Sequence, residues 1–70
     1  MGAVNRLTLN GEPTMVAAGA TVGSLVDATV ANRRGVAVAV NDEVLPRSKW
    51  DHTRLRESDR VEILTAAQGG

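Results

Sequence analysis

Few of the residue types that perform chemistry occur in this sequence, and those that do stand apart. There is no cysteine, so there is no thiol nucleophile, no thiolate metal site and no disulfide. The single histidine, His52, sits in Trp-Asp-His-Thr-Arg with no second ligand nearby and reads as a solvated side chain. Ser24, Ser48 and Ser58 have no neighbouring base at a catalytic spacing. Asp42 and Glu43 are adjacent carboxylates in a turn-forming stretch, where their ordinary role is turn formation and solubility. Gly19 and Gly23 match neither a Walker loop nor a dinucleotide fingerprint. Nothing here assembles an active site. The chain is expected to be no enzyme in its own right and to bind no metal or cofactor itself.

One group remains. The last two residues are Gly69 and Gly70, and the α-carboxylate of Gly70 is ionised at neutral pH, with a reference pKa of ~3.3–3.7. An ionised carboxylate can attack the α-phosphate of ATP and become an acyl-adenylate, a far better acyl donor than the free acid. To react inside a partner, it must be carried into a buried site. A strand rise of ~3.3 Å per residue gives Ala67 to Gly70 a reach of roughly 13 Å. Gly69 and Gly70 lack β-carbons, fit a narrow channel and take any backbone angle. Ala67 and Gln68 would lift them off the domain, with Gly69 the small neighbour that lets Gly70 thread. Taken alone, the same two glycines also fit a frayed end or a trimmed tag.

A flexible tail needs a domain to anchor it. Val4 to Leu9 alternates, with Leu7 and Leu9 on one face, as in a half-buried strand. Asn10-Gly11 is a strong hairpin signal because both residues tolerate positive φ. Thr14 to Ala17 is the returning strand, with Val16 expected inward. Thr21 is placed to cap a helix. Val22, Leu25, Val26 and Thr29 share one face of it, and Gly23, Ser24 and Asp27 face out. Asn32, Arg33 and Arg34 are expected to close the helix, with Gly35 as a left-handed stop. Val36 to Val40 is a short apolar run that suits a strand, its valines toward the helix and Ala37 and Ala39 on the other face. Val44 and Leu45 suit a short edge strand. Pro46 fits the first position of a helical turn that lays Trp50 over the core. Val61 to Ala66 alternates as the last strand.

This order predicts an α+β fold, a mixed sheet of four to five strands with one main helix packed on one face, the last strand pairing centrally beside the first. That is the β-grasp arrangement. The expected division is a domain over residues 1–66 and a flexible tail over 67–70. The outward sheet face is expected to present Ala37, Ala39, Glu62 and Leu64 beside the base of the tail. Leu64 either seeds a partner contact there or packs under Trp50.

Composition limits the partners. Seventy residues with only one aromatic, Trp50, must build their core from Val, Leu, Ile and Ala. Eight basic and eight acidic residues cancel, so no overall field would draw nucleic acid or an anionic membrane. Residues 47–60 hold five of the bases, Arg47, Lys49, Arg54, Arg56 and Arg60, alongside Asp51, Glu57 and Asp59. They read either as a solvated mixed-charge surface or as a docking patch for an acidic partner face. No apolar run approaches the ~20 residues of a membrane span, and no export signal opens the chain. The cytoplasm is the expected compartment.

Several stretches resemble the ThiS family, the ubiquitin-like β-grasp sulfur carriers of thiamine biosynthesis. Leu-Thr-Leu-Asn-Gly-Glu-Pro is similar to the family's opening hairpin, and Ala-Ala-Gly-Ala-Thr-Val-Gly-Ser-Leu-Val to its entry into the helix. Residues 36–50, with Val-Asn-x-Glu-Val and Pro-Arg-x-x-Trp, are the most specific. Residues 59–70 resemble its last strand and diglycine tail. One departure is Ser58-Asp59, where the family usually has Gly-Asp. The resemblance implies that an E1-like adenylating enzyme, using ATP and magnesium, activates Gly70. Sulfur from a persulfide donor protein would then leave a thiocarboxylate there, and thiazole synthase would accept that sulfur. A carrier for another pathway, such as the small subunit of molybdopterin synthase or a cysteine-forming carrier, would share this fold and tail. So would a ubiquitin-like modifier without sulfur chemistry.

Overall fold

The computed structural model describes residues 2–66. Strand β1 (Val4–Leu9) turns through Asn10 and Gly11 into β2 (Glu12–Ala17). Helix α1 (Val22–Thr29) follows, then β3 (Val36–Val40), β4 (Glu43–Val44), a 3₁₀ helix (Arg47–His52) and β5 (Arg60–Thr65). The five strands form one mixed sheet in the order β2-β1-β5-β3-β4. β5 is central, parallel to β1 and antiparallel to β3. This is the expected β-grasp arrangement, with a five-stranded sheet.

Local chemistry explains most of the elements. Asn10 and Gly11 take φ of 52° and 84°, the positive values that the Asn-Gly pair tolerates. The hairpin pairs Leu9 with Glu12, so β2 begins two residues earlier than expected and includes Pro13. β2 is an edge strand, where a missing N–H costs no ladder bond. Thr21 caps α1 in a reciprocal box. Its Oγ1 accepts the Ser24 N–H at 3.1 Å, and Ser24 Oγ accepts the Thr21 N–H at 3.0 Å.

The far end of α1 departs from expectation. Asn32, Arg33 and Arg34 do not close it. The helix stops at Thr29, whose hydroxyl donates back to the Leu25 carbonyl at 2.7 Å, and Val30 is already extended. Side-chain bonding of this kind competes with continuation of the helix, and two β-branched residues in succession favour it weakly. Thr29 is therefore exposed rather than on the core face. Gly35 does take a left-handed φ of 69°, but in the turn that launches β3, not as a helix stop. Smaller shifts occur elsewhere. β4 is Glu43–Val44 rather than Val44–Leu45, Pro46 precedes the 3₁₀ helix instead of opening it, and β5 runs Arg60–Thr65.

The core lies between α1, the 3₁₀ helix and one sheet face. It contains Leu7, Val22, Leu25, Val26, Val36, Val38, Trp50, Leu55, Val61 and Ile63. Val16 packs against it, as expected, while Met15 is exposed. Fully burying a side chain of the Val, Leu or Ile type contributes about 1.5–3 kcal/mol, so each of these positions matters in a chain this short. Among the described residues, no helix is long and apolar enough to cross a membrane.

Candidate functional site

β5 leads directly toward the chain's last residues, so the site is built around how that strand is held. Its register against β3 pairs Val36 with Thr65, Ala37 with Leu64 and Ala39 with Glu62. Beyond β5, the Ala66 N–H donates to the Gly35 carbonyl at 2.9 Å, which fixes the last described residue to the start of β3. Ala67, Gln68, Gly69 and Gly70, the expected tail, lie outside the described residues.

Two asparagines at positive φ grip β5 from opposite sides. Asn10, after β1, exchanges hydrogen bonds with the Ile63 backbone at 2.9 and 3.2 Å. Asn41, after β3, accepts the Arg60 N–H at 2.8 Å through its side chain and donates its own N–H to the Arg60 carbonyl at 2.7 Å. Ser58 takes a φ of 70°, a left-handed conformation that favours glycine, ahead of β5.

The four expected surface residues lie together. Ala37, Glu62 and Leu64 are exposed and Ala39 half-buried, all on the sheet face away from α1. Leu64 is 64% exposed and does not pack under Trp50, because alternation along β5 sends Val61 and Ile63 inward instead. Val44 also belongs to this face. It pairs with Ala39 and is 79% exposed. The sequence signal for it was present, since a two-residue edge strand opposite Ala39 must share that residue's facing. A shallow groove of about 490 Å³ adjoins β5's end, between Val30, Arg34, Gly35 and Ala66.

The helical side is tied by charge. Arg33 donates to Asp27 Oδ1 at 2.8 Å, to Asp51 Oδ1 at 2.9 Å and to the Gly23 carbonyl at 3.3 Å. Its guanidinium carbon and that of Arg47 each lie 5.6 Å from the Trp50 ring centroid. Trp50 is 1% exposed, and its indole N–H donates to the Leu45 carbonyl at 2.9 Å. Hydrogen bonding to Arg33 holds the Asp27 and Asp51 carboxyls below the usual carboxylate range. The same bonds push the Arg33 guanidinium above its own. Gly23, expected to face out, is buried beneath this cluster, where a β-carbon would collide with the Asp51 carboxylate.

Ser24, Asp42 and His52 take structural roles or none. Ser24 is a cap, and Asp42 pairs with Arg60 at 2.8 Å in a left-handed turn. His52 is exposed at the end of the 3₁₀ helix. Among the described residues, no three metal-ligating side chains gather.

A five-stranded β-grasp domain whose central strand feeds the chain's last residues belongs to the ubiquitin-like class of small carrier and modifier folds. Comparison with known proteins narrows this. The ThiS family profile matches residues 5–70. The sulfur carrier protein ThiS of Escherichia coli is 26% identical over 65 residues, covering 93% of this chain and 98% of that protein. The crystal structure of a thiamine biosynthesis protein, ThiS, from Geobacter metallireducens is 40% identical. It superposes with a TM-score of 0.77, over 93% of this chain and 99% of the other. A thiazole synthase from Paramagnetospirillum magneticum is 32% identical over 65 residues, and this chain spans only 20% of that protein. The chain belongs to the ThiS family.

Proposed function

We propose that this protein is a sulfur carrier for thiazole formation in thiamine biosynthesis, and that Gly70 carries the sulfur. The observation that supports this most is the family match, which runs along β5 and through Gly69 and Gly70. The reaction needs no side-chain chemistry from this chain. The Gly70 carboxylate attacks the α-phosphorus of ATP in an E1-like partner that supplies magnesium, and pyrophosphate leaves. A persulfide sulfur then attacks the acyl carbon and displaces AMP. A partner thiol cleaves the resulting acyl disulfide and releases the thiocarboxylate. A carrier without cysteine must hold its sulfur on a carbonyl carbon.

Thiazole synthase is the proposed acceptor. A protein of that name contains a stretch resembling nearly all of this chain, and fusion of a carrier to its acceptor is one way to secure their encounter. The outer face formed by Ala37, Ala39, Glu62, Leu64 and Val44 is the proposed partner surface, while Ala67, Gln68 and Gly69 occupy the partner's channel. The protein's proposed place is the cytoplasm.

Intact mass tests the reading. Incubation with an adenylating partner, ATP, magnesium and a persulfide donor should raise the mass by one oxygen-to-sulfur exchange. Deletion of Gly70 should abolish that product. An unchanged mass with partners that load another carrier would overturn the proposal.

A further inference from the structure

We propose that the cleft between the end of β3, the 3₁₀ helix and the loop before β5 docks an extended acidic peptide segment through Arg54 and Arg56. The cleft is an open surface depression of about 580 Å³, walled by Val40, Asn41, His52, Thr53, Asp59 and the two arginines. Burial alternates through this stretch: Arg54 and Arg56 are exposed, and Leu55 between them is 2% exposed. The Leu55 N–H donates to the Ala20 carbonyl at 2.9 Å, which fixes the segment to the domain. Residues two apart in an extended segment share a face, ~6.6 Å apart. That spacing matches alternate carboxylates on a second extended chain, and planar guanidinium forks suit carboxylates.

Both guanidinium groups are available. Among the described residues, neither arginine forms an ion pair. The acid in the cleft wall, Asp59, is already committed. Its Oδ2 accepts the Arg56 N–H at 2.8 Å, and its Oδ1 accepts the Asn41 side-chain N–H at 3.0 Å. Arg60 is paired with Asp42 and adds no free cation.

The same features select among anions. The Asp59 carboxylate repels a compact phosphate dianion more than it repels single charges spread along a peptide. Nucleic acid would need a stacking surface, but the only aromatic residue, Trp50, is buried. The cleft also sits beside Arg60, at the opposite end of β5 from Thr65 and ~17 Å from it along the strand. An occupant there leaves the outer sheet face uncovered, so a partner could hold both.

The test is an amide NMR titration of the full chain at low salt with the capped peptide acetyl-Glu-Thr-Glu-Thr-Glu-amide. Saturating shifts at His52, Arg54, Leu55, Arg56 and Asp59 are expected at peptide concentrations on the order of 1 mM, weakening as salt screens the charges. Combined Arg54→Gln and Arg56→Gln should weaken binding roughly tenfold or more, whereas Arg34→Gln, at an exposed arginine outside the cleft, should change it less than about twofold. Unshifted resonances elsewhere would show that the variants remain folded. No saturation, or equal loss in Arg34→Gln, would overturn the proposal. Tighter binding of inorganic phosphate would make the cleft a small-anion site instead. Tighter binding of hexathymidylate would make it a nucleic-acid site.

Discussion

The side chain of Asn10 stands in for a missing piece of β1 against Ile63. The Ile63 N–H donates to Asn10 Oδ1 at 2.9 Å, and Asn10 Nδ2 donates to the Ile63 carbonyl at 3.2 Å. The parallel ladder between β1 and β5 ends at Leu9 and Val61, and the Asn10 N–H donates to the Val61 carbonyl at 2.8 Å. Past that point the hairpin turns away, and a carboxamide supplies the donor and acceptor that the backbone no longer provides. Asn10→Gly keeps the positive φ but deletes both bonds. It is expected to cost about 1–3 kcal/mol, at 0.5–1.5 for each bond. Asn10→Ala should cost roughly 1–2 kcal/mol more, because a β-carbon disfavours that φ. Urea unfolding followed through Trp50 fluorescence measures both, and the Ile63 amide should exchange faster in each. Wild-type stability in both variants would mean the carboxamide is ornamental.

How much of this was legible beforehand follows from the range of each signal. Asn10-Gly11, the Thr21 cap and the valine run of β3 act on near neighbours, and the structure places a turn, a helix start and a strand there. Ala37, Ala39, Glu62 and Leu64 were found together because strand alternation and a central last strand suffice to align them. Gly23 and Arg33 depart from the expected pattern because their environment is assembled from distant residues. Arg33 suits a helix-closing cation by its place in the sequence, but it reaches two aspartates, the Gly23 carbonyl and Trp50 instead. No periodicity within α1 reveals that Asp51 will cover Gly23. The bond from Asn10 to Ile63, 53 residues apart in sequence, was invisible for the same reason.

Replacing Gly23 sets two effects against each other. Alanine is favoured over glycine within a helix by up to about 1 kcal/mol. A β-carbon there would displace the Asp51 carboxylate and lie 2.9 Å from Arg33 Nη2. Asp51 is 62% exposed and can swing into water, losing an ion pair that solvent already screens. Gly23→Ala is therefore expected to leave stability within about 1 kcal/mol of wild type. Its coupling should change more than its stability. Asp51→Asn should lower the melting temperature in the Gly23 protein and have no further effect beside Ala at that position. A double-mutant cycle reads this directly, and an unchanged Asp51→Asn effect would argue against the contact.

The Arg33 cluster also predicts a pH dependence. Hydrogen bonds from Arg33 depress the carboxyls of Asp27 and Asp51 in the folded state. A depressed folded pKa contributes stability that is present above the unfolded value, ~3.9, and is lost as pH falls through the folded one. The double variant Asp27→Asn, Asp51→Asn should melt below wild type at pH ~7 and converge with it below pH ~4. High salt should shrink the difference at neutral pH, because both carboxylates are exposed. A gap that persists unchanged into acid would point to packing rather than charge.

Leu64 separates the fold's needs from a partner's. It is 64% exposed opposite Ala37, so Leu64→Asp removes little buried area and should change stability by about 0.5 kcal/mol or less. If the outer face docks the activating partner, burying a carboxylate there should lower kcat/KM for adenylation at least ~10-fold, the equivalent of about 1.4 kcal/mol. Met15 is an internal control. It is 66% exposed but lies on edge strand β2, on the far side of β1 from β5. Met15→Asp should leave adenylation within about twofold of wild type, as expected of a side chain outside the contact. Pyrophosphate release measures both variants. Equal losses would indicate a general effect of negative charge on the sheet, and no loss in Leu64→Asp would place the partner elsewhere.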